Sequence, residues 1–202
     1  GDDSGLVLPP RVAPVQINIV PIQQNKEGVL DKAYSLKEEL VKAGFRVKVD
    51  DSDKTPGFKF ADGEVRGIPL RLEIGPKDIE KEQAVLVRRD TREKMVVRLS
   101  ALSGEVKRIL ETVQNEMYAR ALAFQKERTT DAKTLDELVA SLDKKPGFVR
   151  AMWCGCRECE DKLKEYSGIT SRCIPDKQET ISDTCVVCGK KATKMVYWGR
   201  AY

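Results

Sequence analysis

The 202-residue chain contains no histidine. Without imidazole there is no general base of that kind near neutral pH, no Ser/His/Asp or Cys/His nucleophile system and no histidine-containing metal site. Hydrolases of the ordinary kinds are thereby set aside. Long apolar runs are missing too: no stretch approaches about 18 uninterrupted apolar residues, so no segment reads as a membrane span. A large charge of one sign is also lacking. Lys+Arg 36 against Asp+Glu 32 leaves +4, far from the basicity that coats nucleic acid without selection. An RNA partner would therefore have to be recognised through selected bases. The opening Gly1-Asp2-Asp3-Ser4 has neither the basic nor the apolar block of a signal peptide, and the expectation is a soluble, cytoplasmic protein with no membrane partner.

Charged residues make up 34% and apolar residues 41%, the balance of a well-solvated globular chain. The length suits one domain with an appendage, or two small ones. All six cysteines, Cys154, Cys156, Cys159, Cys173, Cys185 and Cys188, sit in the last quarter, a clustering that favours metal over disulfides and divides the chain in two.

From Val15 to Ile22, Val15, Ile17 and Ile19 alternate with Gln16 and Asn18, with Pro14 and Pro21 near the ends, the pattern of a strand. Between Glu27 and Ala43, Val29, Leu30, Ala33, Leu36, Leu40 and Val41 recur at helical spacing and Gly44 supplies the stop. Phe45 to Val49, Ile68 to Ile74, Ala84 to Arg88 and Met95 to Leu99 read as further strands. The segment between Asp51 and Gly67 is irregular and fits either a helical turn or a functional loop. A long helix from Leu102 to Glu127 carries Val106, Ile109, Leu110, Val113, Met117, Ala121 and Phe124 as a stripe expected to pack on the sheet. Thr134-Leu135-Asp136-Glu137 is a capping box for a short helix. The expected architecture is an α/β domain with a mixed sheet of about five strands flanked by helices, then a small cysteine-bearing α+β domain beginning near residue 129.

Cys185-Val186-Val187-Cys188-Gly189 fits a knuckle whose amides face two sulfurs, with Gly189 in the left-handed conformation behind the second. The other half of the site is open. Cys154-Gly155-Cys156-Arg157-Glu158-Cys159 offers Cys156 with Cys159, or Cys154 with Cys159, and spacing alone favours the former. A closed four-cysteine site is structural rather than catalytic and would staple a module too small to hold itself. Iron of similar geometry or a redox-active dithiol would suit the same spacing. Cys173 reads as a buried small apolar residue on a strand.

Three motifs occur in order: Gly5-Leu6-Val7-Leu8-Pro9-Pro10-Arg11-Val12-Ala13-Pro14, Gly67-Ile68-Pro69-Leu70-Arg71-Leu72-Glu73-Ile74-Gly75-Pro76-Lys77-Asp78 and Tyr197-Trp198-Gly199-Arg200-Ala201-Tyr202. With the paired cysteines they resemble prolyl-tRNA synthetase, in the archaeal and eukaryotic-like form that carries a C-terminal zinc module. The likeness runs from residue 1 to 202. It implies a remnant of the class II catalytic domain over 1–14 (the tail of motif 3), an anticodon-binding domain over 15–128 and a zinc-binding domain over 129–202. The rest of the catalytic core is not in this chain, so the fragment alone is expected to be inactive.

The implied function is recognition of the tRNA(Pro) anticodon for proline–tRNA ligase, which makes prolyl adenylate from ATP and proline and then transfers the prolyl group to the tRNA. ATP and Mg2+ belong to the full-length enzyme, expected to be a homodimer. Arg11 would help to hold ATP there, and here it is expected on a frayed, extended leader. The resemblance carries anticodon contacts onto Phe60, Glu64, Arg71, Lys77 and Asp78. These types suit two anticodon guanines: a ring for stacking, carboxylates that accept from N1 and N2, and cations that donate to O6 and N7. Arg88 and Arg89, at the end of a strand nearby, are candidate contacts to phosphates. The implied ligands of one structural zinc ion are Cys154, Cys159, Cys185 and Cys188, leaving Cys156 as an extra thiol. Tyr202 would place its terminal carboxylate near the active site of the full enzyme. The alternative is a stand-alone, zinc-stabilised module that binds RNA or protein without catalysis.

Overall fold

Short β-branched runs separated by capped helices build the first part of the chain. The computed structural model describes residues 1–166 and 168–200. It divides into two compact units, Gly1–Ala119 and Arg120–Tyr202.

In the first unit β1 (Ile17–Pro21), α1 (Val29–Lys42), β2 (Val47–Val49), α2 (Pro56–Val65), β3 (Leu70–Ile74), α3 (Pro76–Glu80), β4 (Gln83–Arg88) and β5 (Lys94–Arg98) follow one another. The helix α4 (Leu102–Glu127) comes next. The strands form a five-stranded sheet in the order β2-β1-β3-β4-β5, parallel at β1/β2 and β1/β3 and antiparallel across β4 and β5. The mixed sheet is as expected from the sequence. Because side chains alternate along a strand, register sorts the residues by face. Ile19, Leu72 and Leu86 form one row and pack with Ala33, Leu36 and Leu40 of α1 and Val106, Ile109 and Val113 of α4. Asn18, Arg71 and Val87 form a row on the opposite face.

One open reading is decided and two expectations change. First, the irregular segment contains a helix, α2: the Thr55 side chain accepts from the Phe58 amide and Pro56 takes the first helical position, where a missing N–H costs nothing. Second, β1 is buried along its whole length, Asn18 included, because it lies between β2 and β3 with α1 against one face and α2 against the other. Third, the α4 stripe leaves the core after Val113: Met117 is only partly buried and Phe124 is 57% exposed. A 26-residue helix extends ~39 Å, whereas five-residue strands reach only ~17 Å.

Two buried cations fix the edges of this core. Lys59 of α2 donates from Nζ to Gln24 Oε1 (2.6 Å) and to the Asp50 carbonyl (2.9 Å). Arg88, at the end of β4, is bidentate to Asp90 (3.0 and 2.9 Å) and reaches Glu116 on α4 at 2.5 Å.

The second unit forms a four-stranded sheet, β6-β7-β9-β8, from β6 (Thr129–Asp131), β7 (Phe148–Trp153), β8 (Ile169–Cys173) and β9 (Lys194–Arg200). Its helices are α5 (Leu135–Lys144) and α6 (Arg157–Glu165). The capping box forms as expected, with the Glu137 amide donating to Thr134 Oγ1 and the Glu137 carboxylate accepting from the Thr134 amide. Trp198, fully buried, meets Trp153 edge to face at 6.1 Å in the middle of this core. No helix among the described residues is long and apolar enough to cross a membrane.

Replacing Asp90 by alanine leaves the buried Arg88 guanidinium short of a partner. The expected cost is about 3 kcal/mol, the lower end for breaking a buried pair, read as a lower urea midpoint for the first unit. A loss below about 1 kcal/mol would show that this pair contributes no more than an exposed one.

Candidate nucleic-acid interface and metal centre

Helix α2 lies against the face of the sheet that carries Arg71, and the two elements bring Phe60, Glu64 and Arg71 together. The Arg71 guanidinium carbon sits 3.9 Å from the centre of the Phe60 ring. Its Nη1 donates to Glu64 Oε1 at 3.3 Å and its Nε to Glu73 Oε1 at 2.9 Å. Glu73 was not among the sequence candidates, although Arg71-Leu72-Glu73 on a strand places both charged residues on one face. The cluster thus holds an aromatic ring, a cation and two carboxylates: stacking, donor and acceptor chemistry in one patch. Asn18, in the same row as Arg71, has a buried Oδ1 without a hydrogen-bond partner.

Lys77 and Asp78 stand on α3. Lys77 is exposed. The Asp78 carboxylate accepts from the Gly75 amide (3.1 Å) and from Gln83 Nε2 (3.3 Å), so it caps its own helix.

Arg88 and Arg89 do not fit the expectation of phosphate contacts. Both are buried, and carboxylates inside the protein take their donors. Arg88 is held by Asp90 and Glu116 as described, while Arg89 grips both oxygens of Asp2 (2.8 and 2.7 Å) and donates from Nε to the Glu64 carbonyl (3.0 Å).

The same contacts show that the leader is not frayed. The Leu6 amide donates to the Val65 carbonyl (3.1 Å) and the Leu8 amide to the Gly67 carbonyl (3.3 Å). Gly67, with φ +68, ends α2, and a Cβ there would come within 2.7 Å of Leu6. Only glycine suits both demands. Arg46 then donates to the carbonyls of Pro10 and Ala13 (both 2.9 Å). The Arg11 side chain remains exposed while its amide donates to Gln114 Oε1 (3.1 Å).

In the second unit, Cys154, Cys159, Cys185 and Cys188 place their sulfurs within 4.8 Å of one another. The Cys154–Cys159 and Cys154–Cys188 sulfur separations are 3.6 and 3.8 Å. Four thiolates tetrahedral about a metal at ~2.3 Å stand ~3.8 Å apart, so this donor set fits a tetrahedral thiolate metal. Local structure explains which cysteines meet. The chain turns at Gly155 (φ +89), Cys156 takes the N-cap position of α6 in extended conformation, and the first turn of that helix swings Cys159 toward Cys154. Trp153 Nε1 donates to the Cys156 carbonyl (3.2 Å), and Cys156 is exposed outside the set of four. Opposite, Gly189 adopts φ +69 and donates to the Cys185 carbonyl (3.0 Å), the knuckle turn expected from the sequence. Burial, followed by the neighbouring sulfurs, pushes the Cys159 thiol well above its ordinary range. A cation that holds thiolates reverses that preference.

Cys173 is exposed rather than buried. It ends β8, an edge strand, where the register with β9 shifts between Ser171 and Cys173. Tyr202 lies outside the described residues.

Comparison with known proteins gives this arrangement its context. Residues 16–109 match the family model described as anticodon binding domain. Residues 135–202 match that described as prolyl-tRNA synthetase, C-terminal. The chain is similar to proteins named proline–tRNA ligase: 58% identical over 202 residues to that of Clostridium botulinum (strain Loch Maree / Type A3), 60% over 202 residues to that of Lachnoclostridium phytofermentans and 59% over 203 residues to that of Agathobacter rectalis. Each match covers 100% of this chain and 42% of the relative. The chain therefore spans less than half the length of the curated relatives it matches. The two matched segments follow one another along the chain, the anticodon binding domain model first and the prolyl-tRNA synthetase C-terminal model second.

The Asp2–Arg89 contact gives the leader a pH signature. Hydrogen bonds from Arg89 hold the Asp2 carboxyl well below the usual carboxylate range; burial opposes them and the Ser4 amide adds to them. With the folded value depressed, the stabilising contribution is complete above about pH 4 and is lost only as pH falls through that lower value. A carboxyl NMR titration should therefore find Asp2 still ionised at about pH 3, and a midpoint near 4 would contradict the pairing.

Proposed function

We propose that this chain supplies tRNA(Pro) anticodon recognition to a proline–tRNA ligase, an enzyme that activates proline with ATP and transfers it to tRNA. The observation that carries the reading is the Phe60–Glu64–Arg71 cluster inside the segment that matches an anticodon binding domain. Proline codons begin with two cytosines, so the anticodon presents two guanines. Glu64 would accept from guanine N1 and N2, Arg71 and the exposed Lys77 would donate to O6 and N7, and Phe60 would stack a splayed base. Asp78 would contribute the acceptor capacity left beside its cap, since an ionised carboxylate has about four lone-pair sites. Each good bidentate contact discriminates by about 1 to 3 kcal/mol, so two guanines suffice to reject most other tRNAs. Arg89 holds the Glu64 backbone, and neither Arg88 nor Arg89 is proposed as a phosphate contact.

In the same reading, residues 1–14 are the tail of class II motif 3, 15–128 the anticodon-binding domain and 129–202 a zinc-binding domain. The metal is one structural zinc ion on Cys154, Cys159, Cys185 and Cys188, with no open coordination position and no part in catalysis. Arg11 would meet ATP, and the Tyr202 carboxylate would approach the active site, within a full-length, cytoplasmic, homodimeric enzyme that also binds Mg2+. The form is that with a C-terminal zinc module, as in archaeal and eukaryotic-like enzymes, although the three relatives described above are bacterial.

Affinity for tRNA(Pro) and for a version with both anticodon guanines replaced, at one fixed near-physiological salt, tests the reading. The expected loss on replacement is about tenfold or more, or about 1.4 kcal/mol. Glu64→Ala should relax the preference at one guanine without unfolding the domain. Equal binding of both tRNAs would favour an interaction module indifferent to the anticodon.

Metal analysis tests the other half. Cys188→Ser should lose bound zinc and expose the segment after about residue 145 to protease, because the metal staples a small module. Cys156→Ser should keep full zinc stoichiometry. Metal loss from Cys156→Ser would instead favour the Cys156/Cys159 pair.

A further inference from the structure

The charged cluster on β3 holds one more carboxylate than the proposed base contacts use. Arg71 and Glu73 are two apart on one strand face, and the Arg71 Nε donates to Glu73 Oε1 at 2.9 Å, closer than the 3.3 Å from Nη1 to Glu64. The side chains of Arg71 and Glu73 are each 14% exposed, against 29% for Glu64. Glu64 is thus the more open acceptor, and Glu73 is the better-sheltered partner of the cation.

A guanidinium presents its donors in fixed forks, and a two-pronged grip on a carboxylate occupies the lone pairs of both oxygens. A guanine edge that offers N1–H and N2–H needs those same lone pairs. With Nε committed to Glu73 and the plane held over Phe60 at 3.9 Å, Arg71 reaches Glu64 through one nitrogen only. One cation between two carboxylates also leaves the cluster one negative charge, so pairing with Glu73 leaves Glu64 its acceptor capacity.

We infer that Glu73 is a positioning residue: it takes up the Arg71 Nε and so keeps the Glu64 carboxylate open for a base edge. The inference rests on the anticodon reading proposed above. Without Glu73, the Arg71 fork is free to close on Glu64, and the site is self-neutralised before any base arrives. Glutamine at this position keeps an acceptor for Nε, whereas leucine keeps only volume.

The test uses the whole chain with an anticodon stem-loop RNA bearing the two guanines and the same loop with both replaced by adenine, at one fixed salt. Native protein is expected to prefer the guanine loop by about tenfold or more. Equal binding by native protein overturns the base reading, and this inference with it. Where native protein shows that preference, Glu73→Leu should weaken the guanine loop about tenfold and leave the adenine loop within about twofold, while Glu73→Gln keeps most of the preference. An undiminished preference in Glu73→Leu, or a Glu73→Gln as defective as Glu73→Leu, overturns the positioning role alone. Thermal unfolding of each variant separates this effect from loss of fold, and Glu73→Ser carries the same expectation should the leucine variant not fold. The Arg71 Nε–H resonance gives a readout without RNA: its shift is kept in Glu73→Gln protein and altered in Glu73→Leu, where the fork turns to Glu64. An Arg71 Nε–H resonance unchanged in Glu73→Leu would also overturn the inference.

Discussion

A single guanidinium, that of Arg89, ties together the parts of the first unit on which the candidate interface depends. Its two terminal nitrogens hold the Asp2 carboxylate and its Nε holds the Glu64 carbonyl at the end of α2. The side chain is only 2% exposed, so a missing partner would leave a buried charge uncompensated. The leader, the last turn of α2 and the end of β4 are therefore fixed to one another. Fixing the α2 backbone fixes where the Glu64 side chain begins, and with it the distance to Arg71. The arginines of this region divide the work. Arg88 and Arg89 are buried against partners inside the fold, and Arg71, on the strand face beside α2, is shared between Glu64 and Glu73.

The second unit meets a different constraint. Four sulfurs crowd within 4.8 Å, a spacing that thiols alone do not require and that a tetrahedral thiolate metal does. Two backbone devices deliver them: a left-handed glycine behind Cys188 and a helix whose first turn carries Cys159. A core centred on Trp198 and Trp153 lies beside them, small enough that a metal staple would matter to its stability.

What could be read from the sequence was whatever local pattern decides. The five-stranded mixed sheet, the span of α4, the Thr134 capping box and the knuckle at Gly189 all follow from periodicity and from residues with one conformational preference. Features set by distant partners were not legible. Asp2 and Arg89 stand 87 positions apart, and nothing near either residue announces the pair. Two surface arginines were expected where two buried ones stand, because arginine carries no signal of its burial. Gly57 and Gly63 dilute the helical pattern of α2, and its cap at Thr55 shows only in the fold. Spacing alone favoured Cys156 over Cys154. The turn at Gly155 and the cap of α6 decide that choice in three dimensions, and neither is a property of spacing.

A structure of this chain bound to the proline anticodon stem-loop would test the central claim most directly. The account predicts the edge of one anticodon guanine within hydrogen-bond distance of the Glu64 carboxylate, beside Phe60 and Arg71, with Arg71 Nε still on Glu73. A loop that touches the protein through phosphates alone, or that docks away from α2 and β3, would contradict it.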